Sequence, residues 1–235
     1  MVTLTYQERF KTVKGVFDEF TNRTLFELQS RKKFDELVGP LSIGKESNVF
    51  IAKKGDERVI VKIYRMQNAE FAKMYDYIRK DPRYLFLRRH RRQIILAWAQ
   101  REYKNLLKLE RGKITIPKPI SWRNHIIVEE FIGDEEAAPP LKDAVPTNVK
   151  KFFNDVVKEM KNMYKVGLIH GDLSSFNILN YNEKPVLIDF SQTTLVRTPN
   201  SEELLERDVK NILQYFKKHG ISQSEDEVLN KIKGN

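Results

Sequence analysis

Residues 168–192, LIHGDLSSFNILNYNEKPVLIDFSQ, constrain this chain more than any other stretch. Two short apolar runs, Ile178-Leu179 and Val186-Leu187-Ile188, flank a polar segment holding Asn180, Asn182, Glu183, Lys184 and Pro185, which predicts two strands joined by a turn. His170-Gly171-Asp172 stands before the first strand, with Asn177 five positions after the aspartate, and Asp189 follows the second strand directly. A hairpin brings its open ends together, so two carboxylates and one amide converge. Hard oxygen donors of that kind suit Mg²⁺, which is held by one or two carboxylates plus the phosphates of a substrate. Asp and Asn in turns also satisfy local backbone groups. That alternative does not account for four chemically matched positions at once.

The remaining composition sets the frame for this hairpin. The 235 residues fit one large domain or one domain of two lobes, and 40% apolar residues with 14 Phe and 9 Tyr supply a real core. There is no cysteine, which excludes disulfides and cysteine–zinc sites and predicts an intracellular, cytoplasmic protein. The start, MVTLTYQERFKTV, lacks the apolar core of a secretory signal, and residues 94–99, the longest apolar run, are far too short to span a membrane. A formal charge of +10 favours anionic partners.

Along the chain, residues 1–40 read as a helical extension: Leu25, Leu28, Phe34, Leu37 and Val38 fall near helical spacing, Thr21 or Asn22 offers a cap, and Gly39-Pro40 ends the run. Residues 41–132 read as a first lobe and 133–235 as a second, divided by the acidic, Ala/Pro-rich segment after Gly133. The first lobe opens with a turn-rich segment, Ser42-Ile43-Gly44-Lys45-Glu46-Ser47, followed by Val49 and two strands. Against the phosphate-loop pattern G-x-G-x-x-G-x-V it keeps Gly44 and Val49 and places Ser42 and Ser47 at the outer glycine positions. Lys62 closes the second strand's V-I-V-K tetrad. Residues 79–92, from Arg79 to Arg92, carry seven Lys/Arg interleaved with Tyr84 and Phe86. They suit either a solvated loop or contact with RNA or an acidic partner. From Gln93 a helix puts Glu102 on one face with Ile95, Trp98 and Leu106, and a carboxylate on an apolar face needs a partner, for which Lys62 is the candidate. Further on, residues 114–120 and 125–131 read as strands, residues 148–166 as a buried helix, Ser201 as a helix cap, and residues 224–232 as a last helix.

The spacing H-x-D-x-x-x-x-N, then strand and Asp-Phe, is that of kinase catalytic and metal loops. With Ser42 to Phe50, Val61-Lys62-Ile63-Tyr64-Arg65, Asp81-Pro82-Arg83, Trp98 to Glu102, Phe131-Ile132-Gly133 and Arg207-Asp208-Val209 in the same order, the chain resembles the RIO atypical serine/threonine protein kinases, in particular their first subfamily in its compact archaeal form. The resemblance implies an α+β, two-lobed kinase-like fold that uses ATP with Mg²⁺, or Mn²⁺ in its place. It casts Asp172 as base, Asn177 and Asp189 as metal ligands, and Lys62 with Glu102 as the phosphate-holding pair. Ser42, Ile43, Gly44, Lys45, Glu46, Ser47 and Val49 become the phosphate loop, and the backbones of Glu130 and Ile132 the adenine readers. It further implies that Asp189 can accept the phosphoryl group, giving an ATPase-like cycle, and that the partners are pre-ribosomal RNA or small-subunit proteins. Glu129 stands where the family has an apolar residue deep in the adenine pocket. The 46 residues after Asp189 are expected to be too few for an ordinary kinase's peptide-docking platform. Two other readings of the same motifs are a small-molecule kinase of the aminoglycoside or choline type, and a nucleotide-gated RNA-binding assembly factor.

Overall fold

A computed structural model describes residues 17–66 and 71–234. The first 16 residues of the expected helical extension lie outside that range. Helix α1 (Glu19–Ser30) is capped by Asp18, whose carboxylate accepts from Thr21 N–H at 2.7 Å, and not by Thr21 or Asn22. The Thr21 hydroxyl instead meets His125 Nε2 at 2.9 Å.

The expected helical run through Phe34, Leu37 and Val38 is corrected by strand β1 (Glu36–Ile43), which contains Gly39 and Pro40 and absorbs Ser42 and Ile43 from the expected turn. It pairs antiparallel with β2 (Ser47–Lys54) through two register shifts, between Leu37 and Gly39 and between Pro40 and Ser42. Proline donates no backbone hydrogen bond, so a bulged edge strand is where the sheet tolerates it. With β3 (Glu57–Tyr64), β4 (Pro119–Arg123) and β5 (Ile126–Glu130) the sheet runs β1-β2-β3-β5-β4. Residues 114–118, expected as strand, stay outside β4. Pro117 has no N–H to give a ladder, and Thr115 hydrogen-bonds Glu159 instead.

Side chains alternate across a strand, and β3 uses both faces. Val59, Val61 and Ile63 pack with Phe50, Ala52 and Val128 against Leu25, Leu28 and Phe34. Ile60, Lys62 and Tyr64 point the other way, into the cleft. That face is backed by α2 (Phe71–Ile78) and α3 (Arg91–Arg111), which bury Met74, Ile78, Ile95, Trp98 and Leu106 in the larger core.

Below the cleft, α4 (Val149–Lys165) lays Phe152, Phe153, Val156, Met160 and Met163 against α5 (Ser201–Lys217), with Phe153 and Phe216 edge to face at 5.2 Å. Between these helices run β6 (Leu168–Ile169), β7 (Ile178–Tyr181), β8 (Lys184–Leu187) and β9 (Thr194–Leu195). The β7–β8 hairpin registers Ile178 opposite Leu187. Ser201 does not cap α5; it is the first helical residue, and its hydroxyl donates to the Val196 carbonyl. Ser224 does cap α6 (Glu225–Lys233), in a reciprocal box with Glu227. Among the described residues no helix is long and apolar enough to cross a membrane.

His125 is fully buried between α1 and β5 and stacks on Phe20 at 5.2 Å. Burial pulls its pKa from 6.5 down to about 4. The folded state therefore holds His125 neutral where the unfolded chain binds a proton, so stability is complete above pH 6.5 and falls as pH drops toward 4. Urea denaturation of the native chain and of His125→Gln across this window is expected to show the native chain losing more stability than the variant as pH falls. An equal loss in the variant would assign the acid lability elsewhere.

Candidate active site

Lys62 reaches the cleft from the middle of β3, where its neighbours Val61 and Ile63 anchor the strand on the α1 side. Its ammonium is held between Glu102 Oε1 at 2.9 Å, from α3, and Asp189 Oδ1 at 2.8 Å, from the end of the hairpin. Burial alone would lower the Lys62 pKa, but Asp189 and Glu102 outweigh it and raise it well above the usual lysine value. Burial likewise pushes Asp189 upward, and the attraction and hydrogen bond of Lys62, with the Ser191 hydroxyl, hold it down at about 2. The second Glu102 oxygen accepts from the Tyr64 hydroxyl. Tyr64 lies two residues beyond Lys62 on the same strand face.

The hairpin does bring the predicted polar groups together. Asn177 Nδ2 donates to the Asp172 carbonyl at 2.8 Å, and Ile188 N–H donates to the Asn177 carbonyl at 3.0 Å, which ties the two strand ends. Asp189 itself sits at φ +61°, a left-handed conformation that non-glycine residues adopt at a cost. His170 is buried with its pKa lowered to about 4, and its neutral ring donates from Nε2 to the Ile188 carbonyl at 3.0 Å. Asp172 is raised by burial and then by the charge of Asp189, with Arg207 opposing; Gln192 Nε2 donates to its Oδ2 at 3.2 Å.

One continuous cleft links these groups. Its apolar compartment, about 310 Å³, is lined by Ser42, Gly44, Ser47, Val49, Lys62, Glu130, Ile132, Asn177 and Asp189 among the predicted residues. The adjoining polar compartment, about 370 Å³, adds Lys45, Glu46 and Asp172. Two predicted residues stand apart. Ile43 is 68% exposed and lines neither compartment, and Glu102 lies buried behind Lys62. Glu129 does face the apolar compartment: its β5 position registers with Ile60, so the strand alignment holds and the pocket wall carries a carboxyl.

The donor set fits a magnesium ion. Asp189 is ionised, Asn177 lines the same compartment, and the polar compartment adjoins at Asp189. Among the described residues no three His, Cys, Asp or Glu side chains gather as a metal cluster. An ion shared with substrate phosphates needs no such cluster.

Several supporting residues escaped sequence reasoning. Asp208 on α5 is buried and accepts from Gly171 N–H and Leu173 N–H, both at 2.8 Å, bracketing Asp172. Arg207 donates to the Gly171 carbonyl. Gly171 has φ +79°, and a Cβ there would come within 2.7 Å of the Tyr77 hydroxyl. The loop after Asp189 is fastened carbonyl by carbonyl: Arg101 donates to Ser191, Tyr77 to Gln192 at 2.7 Å, and Asn105 to Thr193 at 2.9 Å. A charged residue on an apolar helical stripe signals Asp208 and Arg101 as it does Glu102, because each needs a buried partner. Asp208→Ala leaves two buried N–H groups unpaired, each worth about 1–3 kcal/mol. Urea denaturation is expected to show a loss of about 2 kcal/mol or more, with faster amide exchange at Gly171 and Leu173. Unchanged exchange at those amides would remove Asp208 from this role.

Comparison with known proteins identifies the family and the fold. A family model described as "RIO domain" matches residues 48–229. The RIO-type serine/threonine-protein kinase Rio1 of Methanocaldococcus jannaschii is 40% identical over 91% of this chain and 74% of its own length. Rio1 of Haloferax volcanii is 34% identical over 97% and 79%. Human serine/threonine-protein kinase RIO1 is 32% identical over 90% of this chain but only 38% of its own length. Among solved structures, the Rio2 kinase–ADP/Mg²⁺–phosphoaspartate complex of Chaetomium thermophilum superposes with a TM-score of 0.68 at 21% identity, covering 90% of this chain and 66% of that one. That likeness concerns the fold, and it is the expected α+β kinase-like one. By family match and by relatives spanning nearly its whole length, the chain belongs to the RIO-domain family, alongside archaeal proteins named Rio1.

Proposed function

We propose that the chain is a RIO-type serine/threonine kinase that transfers the γ-phosphoryl group of ATP, with hydrolysis of ATP as the alternative fate. The observation that carries this reading is the Lys62 ammonium bridging Glu102 and Asp189 at the junction of the two compartments. In this reading Lys62 neutralises nucleotide phosphates. Asp172, with its pKa raised and its backbone fixed by Asp208 and Arg207, is placed to take the proton of an acceptor hydroxyl or water. Asp189 and Asn177 would hold Mg²⁺, whose chemistry is to offset charge on the phosphates. Phosphoryl transfer asks little covalent chemistry of a protein, so positioning and charge supply most of the rate. With labelled MgATP, Asp172→Ala and Asp189→Ala are each expected to lower transfer at least about 100-fold while the proteins stay folded. Hydroxylamine lability of any bound phosphate separates an acyl phosphate on Asp189 from a hydroxyl ester. Full activity in either variant would sink the assignment.

For the macromolecular partner we favour RNA of the small ribosomal subunit, met in the cytoplasm through residues 79–92. In that segment Tyr84 is buried, with its hydroxyl on Gln100, whereas Leu85 is 62% and Phe86 98% exposed. An exposed ring among arginines is the pairing that stacks bases while neutralising phosphates. Asp81 fixes the segment by a bidentate grip on Arg83, which also reaches Asn105 of α3. Binding of ribosomal RNA fragments is expected to weaken steeply with salt, and Phe86→Ala to weaken it about tenfold, since stacking is worth about 1–3 kcal/mol per base. Affinity indifferent to both salt and Phe86 would rule out this contact.

A further inference from the structure

The wall of the apolar compartment carries a carboxyl that the transfer chemistry does not use. Glu129 lies on β5 opposite Ile60 of β3 and Pro119 of β4. It shares the cleft face with Ile60 and Lys62, and its side chain lines the cavity beside Pro117, Phe131 and Ile188. Among the described residues its carboxyl has no hydrogen-bond or ion-pair partner. Lys62, the cation on the same face, is spent on Glu102 and Asp189. An unpaired carboxyl in an apolar pocket is costly until something donates to it.

The compartment is otherwise suited to a flat aromatic base, with Val49, Ile60, Pro117 and Ile188 supplying apolar walls. The chain end of β5, from Glu130 to Ile132, runs along its rim, and the Ile132 carbonyl is already engaged by Ala138 N–H at 2.9 Å. Where a base occupies such a pocket, the edge meeting Glu129 decides whether the carboxyl is paired. An exocyclic amino group donates to it. A carbonyl sets oxygen against oxygen and leaves both unpaired.

Resting on the nucleotide-binding reading above, we propose that Glu129 is a specificity residue that selects a purine with an amino group at its six position over one with a carbonyl there. The charged groups that act on this carboxyl are Lys62 from β3, Glu102 from α3 and Asp189 after β8. Burial pushes it up to about 8, with Lys62 opposing. Near neutral pH an empty pocket therefore holds much of it as the acid, which can donate as well as accept. Discrimination between the two purines is then weakest at low pH and grows as the group ionises.

ATP and ITP differ in the six substituent and in the N1 protonation that accompanies it, and so test this directly. Calorimetric or fluorescence titration with Mg²⁺ present is expected to give the native chain a preference for ATP of about tenfold or more at pH 9, since sites that pair a polar group reject an analogue that cannot pair it. The preference is expected to narrow toward pH 6. Glu129→Met is expected to lower the ATP/ITP ratio toward what the Glu130 and Ile132 backbones give by themselves, and to remove its pH dependence. Glu129→Gln, whose amide both donates and accepts, is expected to bind both nucleotides with a small ratio that does not change with pH, and it guards against a packing defect in the methionine variant. An ATP/ITP ratio the same in native, Glu129→Met and Glu129→Gln chains would overturn the proposal and leave the nucleotide site standing. Failure of the native chain to bind either nucleotide would instead overturn the functional reading beneath it.

Discussion

A single buried ammonium organises the molecule. Lys62 is 6% exposed and stands where three parts of the chain meet: the sheet that carries it, the helix that carries Glu102, and the hairpin end that carries Asp189. Removing a lysine from water is unfavourable unless opposite charges surround it closely. Here two carboxylates from elements 40 and 127 positions away do so, with the Tyr64 hydroxyl satisfying the remaining Glu102 oxygen. The cleft is thus not merely lined by charges; the pairing of those charges ties together the sheet, α3 and the β7–β8 hairpin. The same bonds that seat Lys62 also hold Asp189 ionised.

Much of this was legible before any coordinates. The H-x-D-x-x-x-x-N spacing located Asp172 and Asn177, the next strand located Asp189, and the lone carboxylate on an apolar helical face named Glu102 as the partner of Lys62. These inferences worked because each rested on a fixed period or on the cost of an unpaired buried charge. The failures have equally local causes. Leu37 and Val38 fit a helix by spacing, yet β2 offered an edge to pair with, and bulges around Gly39 and Pro40 let the strand form. Ser201 looks like a cap in sequence, but its hydroxyl is drawn to Val196 by the preceding turn.

Sequence marks Asp208 and Arg101 as charges on apolar helical stripes, but it does not reveal the contacts of this supporting layer. Asp208, Arg207, Arg101, Asn105 and Tyr77 act on backbone groups 35 to 115 positions away, and no periodicity encodes such distances. Their contribution is rigidity. Asp172 is held through the amides on either side of it, so its carboxyl is aimed by α5 and not by its own loop. Likewise the departure at Glu129 could be seen in sequence, but only the β3–β5 register shows that it changes the pocket wall and not the strand alignment.

The three carbonyls fastened after Asp189 have a pharmacological consequence. Ser191, Gln192 and Thr193 each lose a side-chain donor if this loop swings outward, and buried groups left unpaired cost about 1–3 kcal/mol apiece. A ligand that wedges behind this loop has to break all three bonds in one motion, whereas one that fills the apolar compartment breaks none. Selective chemistry against this fold therefore starts from the front of the cleft.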